Sequence, residues 1–275
     1  MDKPFFTIII PTYNEEKFLP KLLNDLTKQK ERDFEVIIVD GKSKDNTIKC
    51  AQHHRESLNL KVVSSKISNV SVQRNLGARK SKGKFLIFLD ADMRIGQAFL
   101  AKTISFIKRK KGLLFIPYLY PTKEFGQYKP LLDLVNLFVE FSQKLSKKFS
   151  LGGSIIINRH LFDLMGGFDD SLFIAEDHEL IQRAYSWGVT PKFFKQIFVY
   201  ISLRRMKKEG RLKLMYKYLV VSFRRIFLNE EIRNKIFNYQ MGGQIYNKED
   251  FHKKEELFTK YFSQIKKLFR KLLSA

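Results

Sequence analysis

The chain has 275 residues, a formal net charge of +23, 44% hydrophobic and 14% aromatic residues, and a single cysteine, Cys50. That apolar content excludes a disordered chain, and one cysteine excludes an intramolecular disulfide framework and points to a cytosol-facing location. No apolar run approaches the roughly 18 to 20 residues that cross a bilayer. The amino terminus runs from Asp2 into strand-like sequence without a small-residue cleavage site, so it does not read as a signal peptide, and the expected location is cytoplasmic. Short β-branched and aromatic runs predict strands at 6–10, 35–39, 61–64 and 85–89, with helical patterns at 18–30, 45–56 and 70–82 between them. This rhythm predicts an α/β fold, a βαβ sheet of mostly parallel strands flanked by helices. Further along, a helix is expected at about 97–111, a strand at 113–116, a helix at 131–147, a strand at 154–157, a helix from near Glu176, and strand-like residues at 197–201. Beyond 202–210 the pattern is helical only, which divides the chain into a main domain, 1–205, and a basic amphipathic helical extension, 206–275.

The charge is unevenly spread. From Arg204 to Ala275 there are 19 Lys and Arg against 7 Asp and Glu. Within that stretch Leu212, Met215, Tyr216, Leu219, Val220, Phe223 and Phe227 recur at spacings of three and four. Such a segment suits docking on an anionic membrane face, peripheral to the cytoplasmic side; it equally suits an apolar stripe packed on the main domain with its charges solvated.

In an open parallel sheet, ligands bind beyond the carboxyl ends of the strands. Those ends carry Pro11-Thr12-Tyr13-Asn14-Glu15 after the first strand, Asp40-Gly41-Lys42-Ser43 after the second, and Asp90-Ala91-Asp92 after the fourth. Glu15 or Asp40 alone could be a simple helix cap. The Asp-Ala-Asp triplet is different, because two acids one residue apart repel unless a cation or hydrogen-bond donors compensate. A hard divalent ion, Mn²⁺ or Mg²⁺, is the natural partner, and such an ion bridging carboxylate and substrate phosphate points to a nucleotide diphosphate. Neither a P-loop nor a dinucleotide fingerprint is present. His53 and His54 lack companions for zinc, and Cys50 is expected as a packed core thiol.

The motifs at 7–14 (T-I-I-I-P-T-Y-N), 37–47 (I-I-V-D-G-K-S-K-D-N-T), 73–78 (Q-R-N-L-G-A), 88–92 (F-L-D-A-D) and 166–180 (G-G-F-D-D-S-L-F-I-A-E-D-H-E-L) together resemble the inverting family-2 glycosyltransferases of GT-A fold, over about residues 5–205. The resemblance implies that Pro11, Thr12, Tyr13 and Glu15 border the nucleoside and that Asp40 hydrogen-bonds the base. It places Arg74 near the diphosphate or against the acidic triplet, Asp90 on the ribose and Asp92 on the metal. In the acidic pair Glu176-Asp177, it makes Asp177 the base. Arg94 stands where some relatives place a further metal ligand. On the residues alone, Glu176 and Asp177 could simply open a helix, with Arg183 pairing to these acids one turn on. Trp187 is expected in the core, and Arg204 and Arg205 as phosphate binders or as solvated charges.

The implied activity is metal-dependent transfer, with inversion, of a sugar from a nucleotide-diphosphate donor, uridine- or guanosine-linked, to an acceptor hydroxyl or a lipid-linked glycan or phosphate. Two alternatives stand beside it. A sugar-phosphate nucleotidyltransferase would open with a glycine-rich loop where this chain has Pro11-Thr12-Tyr13-Asn14-Glu15. A non-catalytic basic module binding membrane or nucleic acid conflicts with the acids at the strand ends, which repel a phosphate backbone, so no nucleic-acid partner is expected.

Overall fold

The computed structural model describes residues 3–142, 153–172 and 175–204. The extension expected at 206–275 and Arg205 lie outside them, as does the part of the helix expected at 131–147 beyond Ser142. In chain order the elements are β1 (Phe6–Thr12), α1 (Leu19–Thr27), β2 (Phe34–Asp40), α2 (Thr47–Gln52), β3 (Leu60–Ser64), α3 (Val70–Lys80), β4 (Phe85–Phe88), β5 (Arg94–Ile95) and α4 (Phe99–Lys110). They are followed by β6 (Leu114–Pro121), a 3₁₀ turn (Lys123–Tyr128), α5 (Lys129–Ser142), β7 (Ile155–Asn158), α6 (Arg159–Leu164), α7 (Glu176–Ser186) and β8 (Lys192–Ile201).

Among the described residues the strands form one sheet in the order β3-β2-β1-β4-β7-β6-β8-β5. The expected parallel βαβ half is present: β1 pairs in parallel with both β2 and β4, and β2 with β3. The other half is mixed, with β7 antiparallel to β4 and β6, and β5 antiparallel to β8. After β3 at one edge the chain returns to β4 on the far side of β1. Strand order therefore reverses at β1, and the crevice beyond the ends of β1 and β4 is the topological switch point.

Side-chain alternation sends Ile8, Ile10, Val36 and Ile38 to one face and Ile9, Ile37 and Val39 to the other. The first face packs on Leu19, Leu22, Leu23 and Leu26 of α1 and on Phe99, Leu100 and Ile107 of α4. The second packs on Ala78 of α3, Leu161 and Phe162 of α6, and Leu180, Ile181 and Ala184 of α7. Coverage on both sides explains why β1 and β2 are buried along their whole length and read as continuous apolar runs. No helix among the described residues is long and apolar enough to cross a membrane.

Two expected core residues are not in the core. Trp187 is 54% exposed: it caps the carboxyl end of α7, whose buried stripe ends at Ala184. Cys50 is half-buried, because α2 turns Thr47 and Ala51 inward and leaves the thiol at its flank, 3.9 Å from the Glu16 carbonyl oxygen.

Gly83 fixes how closely the α3–β4 connection approaches β1. Its N–H donates to Thr7 Oγ1 at 2.8 Å, and that hydroxyl donates to the buried Glu35 carboxylate, also at 2.8 Å. A Cβ at position 83 would lie 2.5 Å from the Thr7 backbone nitrogen and 2.6 Å from the Phe6 carbonyl carbon, neither of which can give way. Gly83→Ala is expected to destabilise the protein by about 2 kcal/mol, the scale of an overpacked core. The check is a lower urea midpoint at unchanged slope.

Candidate active site

The β1 and β2 ends are laced together by side chains. Asp40, at the end of β2, is buried and accepts from Thr12 Oγ1 at 3.1 Å, Ser43 N–H at 2.9 Å and Ser43 Oγ at 2.5 Å. Ser43 Oγ in turn accepts from Asn14 N–H, and Asn14 Oδ1 accepts from Lys44 N–H. Asn14 and Lys42 hold left-handed φ angles of 53° and 68°, which these cross-links stabilise. Gln73, from α3, donates through Nε2 to the Thr12 and Val39 carbonyls at 2.9 and 2.6 Å. Pro11 and Thr12 are buried within β1, and Tyr13 is half-buried just beyond it. A base contact from Asp40 would have to share a carboxylate that Ser43 and Thr12 already hold.

At the other side of the switch point, Arg74 lies in α3 with its side chain 1% exposed. Its Nη2 donates to Asp90 Oδ1 and its Nη1 to Glu176 Oε1, both at 2.8 Å, and its guanidinium stacks on Phe168 at 5.3 Å. Burial works to lower the Arg74 pKa, but the charges of Asp90, Glu176 and Asp177 outweigh it and hold the guanidinium charged. Burial pushes the Glu176 carboxyl up, Arg74 pulls it back, and Asp177 pushes it up again. Asp177 is buried at the start of α7; its Oδ2 accepts from Gly153 N–H at 3.2 Å and its Oδ1 from His178 N–H at 2.8 Å. Gly153, at φ +64°, touches both halves of this cluster. A Cβ there would meet Arg74 Nη2 at 2.7 Å and Asp90 Oδ2 at 3.2 Å.

A second cluster forms around Arg204, beyond the end of β8. Its guanidinium donates to Glu15 Oε1 at 2.6 Å and Oε2 at 3.0 Å, pairs through Nε with Asp92 Oδ2 at 2.8 Å, and stacks over Phe18 at 4.5 Å. Burial pushes the Glu15 carboxyl up, its bond to Arg204 pulls it part of the way back, and the charges of Asp92 and Asp90 raise it again, leaving it at about 7.

All the acids expected at the site except Asp40 thus fall into two adjoining cation-centred groups, Asp90, Glu176 and Asp177 about Arg74, and Glu15 and Asp92 about Arg204. Asp40 is set apart beneath the β1 and β2 loops. Arg94 belongs to neither group: its side chain makes a bidentate pair with Asp25 of α1, at 2.5 and 2.6 Å. Arg183 pairs with Glu179, one turn back on α7. The reading of the sequence missed the carboxylate partners of Arg204 and the parts of Gln73 and Ser43; it took Gly153 as a glycine of close approach or of a turn, without its bond to Asp177. Gln73 could have been found, since it immediately precedes Arg74 in the 73–78 motif.

Among the described residues no three acidic, His or Cys side chains converge as a ready-made metal cage. Asp92 with Asp90 beside it still fits Mn²⁺ or Mg²⁺, which is commonly held by one or two carboxylates and completes its shell with water and substrate phosphate. The Asp90 side chain is 41% exposed, so it faces the crevice as well as Arg74.

A model of glycosyl transferase family 2 matches residues 7–166. The poly(ribitol-phosphate) beta-N-acetylglucosaminyltransferase TarS of Staphylococcus aureus is 28% identical over 191 residues, 66% of this chain and 32% of its own. The poly(ribitol-phosphate) beta-glucosyltransferase of Bacillus spizizenii is 28% identical over 194 residues, 65% of this chain and 29% of its own. The chain thus spans about a third of the length of either relative. Among solved structures, S. aureus TarS 1–349 in complex with UDP-GlcNAc superposes with a TM-score of 0.62 at 24% identity, covering 78% of this chain and 65% of that one. The mannosyltransferase PcManGT of Pyrobaculum calidifontis, in complex with GDP-Man and Mn²⁺, gives 0.64 at 19% identity, covering 82% and 65%. At these identities the structural likeness concerns the fold, which is of GT-A type.

Arg74→Met keeps most of the buried volume and strips Asp90 and Glu176 of their shared cation. Breaking a buried pair from one side costs about 3 to 5 kcal/mol, and the solvated edge of Asp90 puts the expected loss near the lower figure, about 3 kcal/mol. Thermal or urea unfolding of the variant beside Arg74→Lys checks this; the lysine, with one point charge, is expected to restore only part of it.

Proposed function

The chain belongs to glycosyl transferase family 2 and is a glycosyltransferase, and on that premise we propose that it moves a sugar from a nucleotide-diphosphate donor to an acceptor hydroxyl with inversion, in a metal-dependent reaction. The observation that carries this reading is the pairing of Asp90 and Glu176 with Arg74 at the switch point of the sheet, with Asp92 two residues from the first and Asp177 next to the second. The donors bound by TarS and PcManGT, UDP-GlcNAc and GDP-Man, support a uridine- or guanosine-linked sugar here.

In this reading the nucleoside lies on the β1 and β2 loops. Pro11, Thr12, Tyr13 and Glu15 border it, and Asp40 meets the base or holds the Ser43 loop that does. Asp90 turns its exposed edge to the ribose hydroxyls, while Arg74 keeps that carboxylate oriented. Asp92, with Asp90 beside it, would hold a divalent ion, which would supply Lewis-acid charge to the departing diphosphate. Asp177 takes the acceptor proton as the acceptor oxygen bonds to the anomeric carbon and the bond from that carbon to the diphosphate oxygen breaks. The N–H groups of Gly153 and His178 each donate to one of its oxygens, which fixes the orientation of the carboxylate. Glu176, tied to Arg74, holds the start of α7 and so aims Asp177. The charge surplus after Arg204 supports docking of the segment 211–228 on an anionic membrane, which suits a lipid-linked acceptor.

Two variants test the chemistry. Asp92→Ala is expected to abolish Mn²⁺-dependent transfer and donor hydrolysis, and undiminished turnover removes the metal assignment. Asp177→Asn is expected to keep donor affinity, measured by calorimetry, while transfer falls about 10²- to 10⁴-fold; equal loss of both removes the base. Membrane docking predicts that the full chain sediments with phosphatidylserine vesicles at low salt and that a chain ending at Gly210 does not. Equal sedimentation of the two contradicts it.

A further inference from the structure

The motif residues account for Arg74, but Arg204 lies beyond every motif and nevertheless reaches into the donor crevice. It contacts both of the acids that the proposed function gives to the nucleoside side and to the metal. Three geometric facts define it. The guanidinium clamps Glu15 with two hydrogen bonds and spends its Nε on Asp92. Its side chain is 13% exposed, that of Glu15 7% and that of Asp92 17%, so the contacts are shielded from water. Its flat face lies on Phe18, which fixes the plane of the fork.

We infer that Arg204 is a cation latch on the donor site: it neutralises Glu15 and Asp92 until the donor arrives, and it must release Asp92 before a divalent ion can be held there. The inference rests on the assignment of Asp92 under the proposed function. A divalent ion coordinates a carboxylate oxygen at about 2 Å. With Nε 2.8 Å from Asp92 Oδ2, an ion on that carboxylate would bring two like charges within a few ångströms inside a poorly solvated crevice. The ion alone therefore competes with Arg204. A nucleoside diphosphate changes the balance, because its phosphate oxygens offer the guanidinium fork a new bidentate partner as Asp92 is surrendered. Metal and donor then assist each other's binding, and the assistance is reciprocal.

The test measures Mn²⁺ bound to the full chain by loss of the free-ion electron paramagnetic resonance signal, without and with uridine or guanosine diphosphate. Arg204→Gln is expected to bind Mn²⁺ alone about tenfold more tightly than the parent, the scale of one charge-assisted hydrogen bond removed from the competitor. The tightening caused by the diphosphate is expected to shrink in the variant, and Arg204→Lys is expected to lie between the two. A merely structural role for Arg204 yields unchanged or weaker Mn²⁺ binding in Arg204→Gln, and that result overturns the latch. Asp92→Asn separates the two ideas. If it abolishes Mn²⁺ binding while Arg204→Gln leaves the affinity unchanged, only the latch falls. If Mn²⁺ binding survives Asp92→Asn, the metal assignment of the proposed function falls and the latch with it.

Discussion

The site depends on one buried cation. A guanidinium removed from water loses hydration that only well-aimed anions restore, and Arg74 meets two of them, one from each wall of the crevice. Asp90 follows the last parallel strand of the nucleotide half, and Glu176 opens the helix on the opposite wall. Because the planar fork fixes both directions at once, the spacing between those walls is set by the guanidinium. Opposite charges on the two carboxylates' common partner also let three acids, Asp90, Glu176 and Asp177, approach one another in a shielded place where they would otherwise repel.

The residues on either side of Arg74 extend the same arrangement. Gln73 ties the carbonyls at the ends of β1 and β2. Asn75 donates to the Phe168 carbonyl at 2.8 Å and to Asp170 at 2.6 Å, and it accepts from Phe168 N–H. Three consecutive residues of one helix thus bind the ends of β1 and β2, the acid cluster and the segment leading to α7. Rotation of α3 by part of a turn would disturb all three together. The close fit of Gly77, where a Cβ would meet Ile9 Cγ2 at 2.5 Å, holds the helix against β1 and removes that freedom.

How much of this was legible in the sequence follows from what each contact needs. The parallel half was readable because both of its faces are covered, which forces continuous apolar runs, and its loops carry polar residues at fixed offsets. The antiparallel β7 was readable as a strand but not in its direction, since the run Ile155-Ile156-Ile157 looks the same either way. β5 has two residues and no periodicity to detect. Asp90 and Asp92 stood out by chemistry, and Asp177 only through the resemblance of the 166–180 motif to its family. Arg204 did not, because its partners Glu15 and Asp92 are more than a hundred residues away and nothing in an Arg-Arg pair at a strand end tells a latch from a solvated charge. Trp187 was misplaced for a related reason: helical spacing identifies a face but not where the buried stripe stops.

The two sides of the crevice are also specified differently. On the side of β1 and β2, side chains do the fixing: Asn14, Asp40, Ser43 and Thr47 cross-link two loops, and each carries a functional group that a motif can record. On the side of α7 the backbone does more of it. Gly153, Gly166 and Gly167 have φ angles of +64°, +79° and +80°, and Ala175 takes +62° immediately before Glu176. A left-handed alanine is a costly choice, sustained because Arg74 and the Gly153 N–H hold the two acids that follow it. The orientation of the acidic pair is therefore stored in backbone geometry and hydrogen bonds to Gly153 and Arg74, which sequence records only as glycines, an alanine and a distant arginine.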